Sequence, residues 1–213
     1  MQTELFEDTR WESGPQSKEF RHQQALELIE GDSVLDLGCG DGLFLSMIDK
    51  KFKRFGVDIS SVAIAKLNEK GIEGEAFDFT EAALPFADGS FATVVSLDVL
   101  EHLFYPERLL KEALRVTSAA VVIGVPNFSS LPARIAVVLG KVPENNRPKK
   151  GHCYWFNLQT LRSVVKTAGG TITEIHVNTF WQQRAILGSL MKFLAQLFPS
   201  LFALSFVVKI HKV

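Results

Sequence analysis

Cysteine is scarce in this chain: 213 residues hold two, at positions 39 and 153. Two cysteines cannot build a disulfide framework, and these lack the spacing of a thiolate metal site. A reducing, cytoplasmic setting is expected. An excess of either charge is also missing. With 23 basic and 24 acidic residues the formal net charge is −1, so no general attraction to a nucleic-acid backbone or an anionic membrane is expected. The first residues, Met1-Gln2-Thr3-Glu4-Leu5-Phe6-Glu7-Asp8, have neither the basic start nor the apolar core of an export signal. One apolar run, Ile186 to Val208, approaches the length of a membrane span. Lys192 and Gln196 interrupt it and Pro199-Ser200 breaks it, so it is read as a helix followed by a strand, with no transmembrane segment.

What the chain does have is 46% hydrophobic content, enough for one well-buried domain over residues 1–213. Its most informative stretch is Val34-Leu35-Asp36-Leu37-Gly38-Cys39-Gly40-Asp41-Gly42. Apolar residues run into alternating glycines and then a helical pattern from about Leu43 to Lys50, which reads as strand, tight turn and helix. Glycine at 38, 40 and 42 permits positive φ and lets a ligand lie against the backbone, with the helix N–H groups aimed at it. A dinucleotide turn spaces its glycines G-x-G-x-x-G, whereas this one is G-x-G-x-G preceded by Asp36. That carboxylate would repel a pyrophosphate and suits a ligand bearing an ammonium group. A structural turn without a ligand is the plain alternative.

A second strand is expected over Arg54 to Asp58, followed by a helix that Ser60 caps and Gly71 stops. Asp58 then lies beside the glycine turn, where an acidic residue can accept both hydroxyls of a ribose; a loop or capping aspartate is the alternative. Further strands are expected over Gly74 to Phe79, Ala92 to Leu97, Ala119 to Val125, Thr171 to Thr179 and Leu201 to His211. Helices are expected over Ser17 to Glu30, Pro106 to Val116, Asn157 to Ala168 and about Ala185 to Phe198. Residues 1 to 16 read as a loosely held polar arm, and no function is placed on Trp11.

Residues Asp36 to Gly42 resemble motif I of the class I S-adenosylmethionine-dependent methyltransferases. Leu84-Pro85-Phe86-Ala87-Asp88-Gly89-Ser90-Phe91, the following strand and Leu100-Glu101-His102 are similar to the type 11 pattern, with alanine at 92 where many relatives carry aspartate. Pro126-Asn127-Phe128, Leu139-Gly140-Lys141, Pro143-Glu144-Asn145 and Gly151-His152 look like the MetW group, linked to methionine biosynthesis. Arg147-Pro148-Lys149-Lys150 departs from that group's aromatic-rich run. The resemblance implies a Rossmann-like three-layer α/β sandwich, its seven-stranded, mostly parallel sheet ordered 3-2-1-4-5-7-6 with the last strand antiparallel. Residues 1–30 would form an arm and helix, 31–125 the cofactor-binding core, and 126–213 the acceptor side with the C-terminal strands. It implies S-adenosyl-L-methionine as cofactor, held by Asp36, Gly38, Cys39, Gly40, Gly42, Asp58, Ile59, Asp78, Phe79, Ser96 and Leu97. In it Asp78 would accept the adenine amino group, and Ile59 and Phe79 would meet the ring, although Phe79 equally suits core packing.

Methyl transfer from a sulfonium is an in-line displacement governed by positioning in a water-poor site, and it requires no metal. None is expected here. A base matters only where the acceptor loses a proton. Asp98, Glu101 and His102 near the end of the fourth strand are candidates, with His152 delivered by a folded-back loop. Each also has a structural reading: a hydrogen-bonded histidine, or a carboxylate facing a helix dipole. Residues Phe128 to Leu139 and Ala185 to Phe198 offer surplus apolar surface for a small-molecule or lipid-like acceptor, or for a protein partner. A MetW-like partner of a homoserine acyltransferase with little catalysis of its own is the second reading. A nicotinamide oxidoreductase disagrees with the glycine spacing and with Asp36.

Overall fold

The computed structural model describes residues 8, 9, 11, 19–79, 83–181 and 184–213. Its sheet has seven strands in the order β3-β2-β1-β4-β5-β7-β6. These are β1 (Ser33–Leu37), β2 (Lys53–Asp58), β3 (Glu73–Ala76), β4 (Phe91–Leu97), β5 (Thr117–Pro126), β6 (Gly170–Thr179) and β7 (Ala203–Lys212). The first five pair in parallel. β7 enters antiparallel between β5 and β6. The order and direction that the resemblance implied are those observed.

The strands sort their side chains by parity, as a sheet covered on both faces requires. Leu35 and Leu37 of β1, Val121 and Ile123 of β5, and Phe206 and Val208 of β7 pack with Leu110 of α4 (Pro106–Val116) and Leu161 of α6 (Leu158–Thr167). Val34, Val122 and Val207 face the other side. They meet Ala25 of α1 (Phe20–Glu27), Phe44 of α2 (Leu43–Met47), and Ile64 and Leu67 of α3 (Ser61–Glu69). Ser60 caps α3 as expected, its hydroxyl accepting from the Ala63 N–H at 3.1 Å.

Several boundaries differ from the expectations. The first helix is described over Phe20–Glu27, and most of the arm expected over residues 1 to 16 lies outside the described residues. Trp11 is not loose: it is 5% exposed, and its carbonyl accepts a hydrogen bond from Lys66 Nζ of α3. The helix after the glycine turn ends at Met47 rather than Lys50, because Ile48 is extended and turns its side chain into the core. β3 stops at Ala76, short of Phe79. A one-turn helix, α8 (Pro199–Phe202), follows α7 (Ala185–Leu197) where the last strand was expected to begin; Pro199 starts it, with the φ that helix entry favours.

Asn127 ties this late segment to the sheet. Its side-chain amide donates to the carbonyls of Ser200 and Ala203 at 3.0 and 2.8 Å, while its Oδ1 accepts from the N–H and hydroxyl of Ser129, each at 3.0 Å. Among the described residues no helix is long and apolar enough to cross a membrane. Apolar surface is nevertheless abundant. No residue of α5 (Leu131–Val138) is buried, and Val138 is 85% exposed. On α7, Ile186 and Phe193 are exposed while Met191 and Ala195 face inward.

Candidate functional site

The C-terminal ends of β1, β2 and β4 meet at one edge of the sheet, the position where parallel doubly wound folds collect their ligands. Gly38, Gly40 and Gly42 all have positive φ, at 78°, 53° and 76°. Position 38 has no room for a Cβ, which would lie 2.3 Å from Val99 Cγ2, and at position 42 it would lie 2.1 Å from Leu67 Cδ1. At these two positions the missing side chains make space for the protein's own packing, a second reason for glycine beside ligand approach.

The turn is fixed from β2. The Gly38 and Cys39 N–H groups donate to the Val57 carbonyl at 2.7 and 3.1 Å. Asp58 then binds the turn through one carboxylate oxygen, which accepts from the Gly40 N–H at 2.8 Å, and its own helix entry through the other, which accepts from the Ser60 N–H at 2.9 Å. One expectation needs correcting. The N–H at the start of α2 is not left for a ligand, because Asp41 Oδ1 accepts from Leu43 at 3.2 Å and Lys70 neutralises Asp41 at 2.9 Å. Of the first N–H groups of the short helix, this engages the one on Leu43.

Asp36 is buried, and among the described residues no cation forms an ion pair with it. Burial first, and the neighbouring Asp58 carboxylate second, push its carboxyl up to about 8 from an ordinary 3.8. The sign of the consequence follows. From about pH 4 to about pH 8 the unfolded chain gives up this proton while the folded chain keeps it, so stability falls as pH rises, by about 1.4 kcal/mol per unit, and levels off above pH 8. Asp36→Asn is expected to remove that slope. Urea unfolding of both proteins at pH 5 and pH 8 measures it, and an equal pH loss in the two would mean that Asp36 is ionised in the fold.

The other predicted site residues are distributed unevenly. Cys39 is buried, its thiol pushed well above the ordinary value by burial, and its sulfur packs where a Cβ of Gly56 would stand. Ser96 is turned inward, donating to the Leu37 carbonyl at 2.9 Å. Leu97 is half-buried against Gly124. Ile59 and Asp78 are half-buried beyond β2 and β3, and Phe79 packs partly against the core, in line with its structural reading.

The four base candidates follow β4. Asp98 has a left-handed backbone, φ 55°, and its carboxylate pairs with Arg21 Nη2 of α1 at 2.5 Å. The arginine was not anticipated, since nothing local links positions 21 and 98. Leu100–His102 form a single 3₁₀ turn, with Glu101 buried inside it rather than lying at the start of a longer helix. The segment around His152 does fold back. The N–H groups of Cys153 and Tyr154 both donate to the Glu101 carbonyl, at 2.9 and 3.0 Å. That return brings the His152 ring to 4.8 Å from the His102 ring, edge to face, and His152 Nε2 to 3.9 Å from Glu101 Oε1. A hollow lined by Arg162, Val165, Lys166 and Gly170 opens at the start of β6, the opposite end of the sheet, and has no part in this site.

Comparison with known proteins agrees with this architecture. A probable S-adenosylmethionine-dependent methyltransferase of Mycobacterium tuberculosis is 31% identical over 114 residues, covering 50% of this chain and 42% of that protein. The bifunctional methionine biosynthesis protein MetXA/MetW of Rhodopirellula baltica is 30% identical over 176 residues, covering 75% of this chain and 28% of that protein. The chain thus spans less than half the length of either relative. Among solved structures, a methyltransferase of Thermotoga maritima described as a possible histamine N-methyltransferase superposes with a TM-score of 0.65 at 20% identity, covering 91% of this chain and 88% of that one. The magnesium protoporphyrin IX methyltransferase of Synechocystis, solved with bound S-adenosylhomocysteine, gives 0.61 at 17% identity, covering 98% and 94%. The fold is that of the class I methyltransferases. Because the profile of the family described as "Methionine biosynthesis protein MetW" matches residues 19–168, the chain belongs to the MetW family.

Proposed function

We propose that this chain binds S-adenosylmethionine at the glycine turn and transfers its methyl group to a small-molecule or lipid-like acceptor in the cytoplasm. The observation that carries the reading is the buried Asp36, held beside Asp58 at the strand ends with no cation in ion-pair contact among the described residues. A ligand combining an ammonium group with a ribose meets both carboxylates. Bound there, the cofactor supplies a methyl group on a sulfonium, an electrophile open to in-line attack.

Asp36 faces the ammonium group in this reading, and Asp58, whose carboxylate also holds the Gly40 and Ser60 N–H groups, accepts from the ribose hydroxyls. Ile59, Asp78 and Phe79 stand at the adenine end. Arg21 pairs with Asp98 just after β4 and fixes that carboxylate near the strand ends. Where the acceptor loses a proton, Asp98, Glu101, His102 and His152 are the candidates to take it.

Calorimetric titration with S-adenosylmethionine and its demethylated product tests the reading. Affinity near the micromolar range, about −8 kcal/mol, is expected. No detectable heat with either ligand would reject it and favour a second reading, in which the chain is a partner of an acyltransferase of methionine biosynthesis. The exposed apolar faces of α5 and α7 support that second reading. A relative that joins MetXA and MetW in one protein supports it too. Stable co-purification with such an acyltransferase, together with a change in its activity, is its signature.

A further inference from the structure

We propose that Glu101, His102 and His152 form a binding site for a divalent transition-metal ion of the zinc class. Each of these residues offers one ligand atom, and the three atoms lie within 4.8 Å of one another. A bound tetrahedral set with bonds of ~2.1 Å separates its donors by roughly 3.4 Å, so small side-chain rotations close the remaining gap. The histidines are oriented for it. Nδ1 of His102 faces the Gly151 carbonyl at 3.2 Å, and Nδ1 of His152 faces the Asn145 carbonyl at 2.7 Å. A carbonyl only accepts, so a ring that bonds to it through Nδ1 carries its proton there, and Nε2 is the nitrogen that would meet a cation.

The support behind the ligands is built in. The N–H groups of Cys153 and Tyr154 clamp the returning segment onto the Glu101 carbonyl. The Phe128 ring meets the His152 ring edge to face at 5.4 Å. Glu101 is 1% exposed and the His152 side chain 9%, so two of the three ligands sit in a poorly hydrated wall. Two imidazoles with one carboxylate favour zinc, cobalt or iron over magnesium or calcium, whose preferred ligands are oxygens. Three protein ligands also leave a coordination position open, as catalytic rather than structural sites do.

This placement deepens the methyl-transfer reading, with Glu101, His102 and His152 serving as ligands rather than as proton acceptors. The ion would sit just after β4 and beside Val99, which packs on Gly38 of the cofactor turn. Its open position would hold an oxygen of the acceptor. That last point rests on the methyl-transfer reading, whereas ion binding itself does not.

The test uses the full chain, stripped with a chelator and titrated with Co²⁺ by visible absorption and with Zn²⁺ by equilibrium dialysis. One ion per chain is expected, with ligand-field bands for cobalt. His102→Ala and His152→Ala are each expected to weaken binding at least tenfold, while His176→Ala, on β6, leaves it unchanged. Both histidines are half-buried on separate segments, so two independent variants keep the test sound where loss of one ring disturbs its loop. Absence of saturable binding, parent-like affinity in both ligand variants, or equal competition by Mg²⁺ would overturn the site. S-adenosylmethionine titration of the same samples separates the two ideas. Cofactor binding without cobalt removes the ion site alone, and cobalt binding without cofactor removes the methyl-transfer reading alone.

Discussion

Asp58→Ala is expected to weaken S-adenosylmethionine binding at least ~100-fold, about 2.7 kcal/mol, in a calorimetric titration. Two losses combine. The ribose hydroxyls lose charged acceptors, each hydrogen bond of that kind being worth ~1.5–3 kcal/mol. The glycine turn also loses the oxygen that holds the Gly40 N–H at 2.8 Å. Asp58→Asn separates these contributions, because an amide keeps the shape and one acceptor while removing the charge, and an intermediate loss of about tenfold is expected. Either substitution removes the like charge beside Asp36, so its carboxyl should titrate lower in the fold and the pH range over which stability falls should narrow. Unchanged cofactor affinity in an Asp58→Ala protein that melts normally would end the ribose assignment.

Asn127→Ala is expected to cost about 3 kcal/mol and to lower Tm by roughly 10 °C. The side chain is 1% exposed and both of its ends are engaged, so truncation takes a donor from the buried Ala203 carbonyl, leaves the Ser200 carbonyl with the Ser129 hydroxyl alone, and frees the Ser129 N–H. Asn127→Asp should do no better, since a carboxylate would face those two carbonyl oxygens. Asn127 directly follows β5 and bonds to Ser129, Ser200 and Ala203 rather than to any proposed cofactor contact, so affinity measured well below Tm should not change. A Tm within 2 °C of the parent protein would show that the α8–β7 corner is held by other contacts.

Local patterns carried much of this architecture. The apolar run into Gly38, Gly40 and Gly42, the Ser60 cap and the proline-led α4 each state their structure within a few residues. Strand order came through the family resemblance, since nothing in the local pattern of β7 says that it inserts between β5 and β6. Asp58 was legible because its distance from the glycine turn is fixed by the βαβ unit. Other features depend on partners far away in sequence. Arg21 meets Asp98 across 77 positions, read as 98 minus 21. His152 reaches the end of β4 on a returning segment whose Cys153 and Tyr154 bond to the Glu101 backbone. The inward turn of Ser96 and the capping of α2 by Asp41 were equally hidden, because a serine at a strand end and an aspartate in a glycine turn suit a ligand as well as they suit the backbone.

The antiparallel insertion of β7 also sets an order of events on the ribosome. The pairings of β1 to β5 close among themselves within residues 33–126. β6, made next, finds its ladder only with β7. At ordinary translation speed the interval between Thr179 and Lys212 lasts roughly two to six seconds. Through that interval the nascent chain carries an unpaired ribbon beside the open edge of β5, the kind of surface that other strands add to. Slowing elongation between β6 and β7 should therefore raise the demand for chaperones far more than an equal delay before β6.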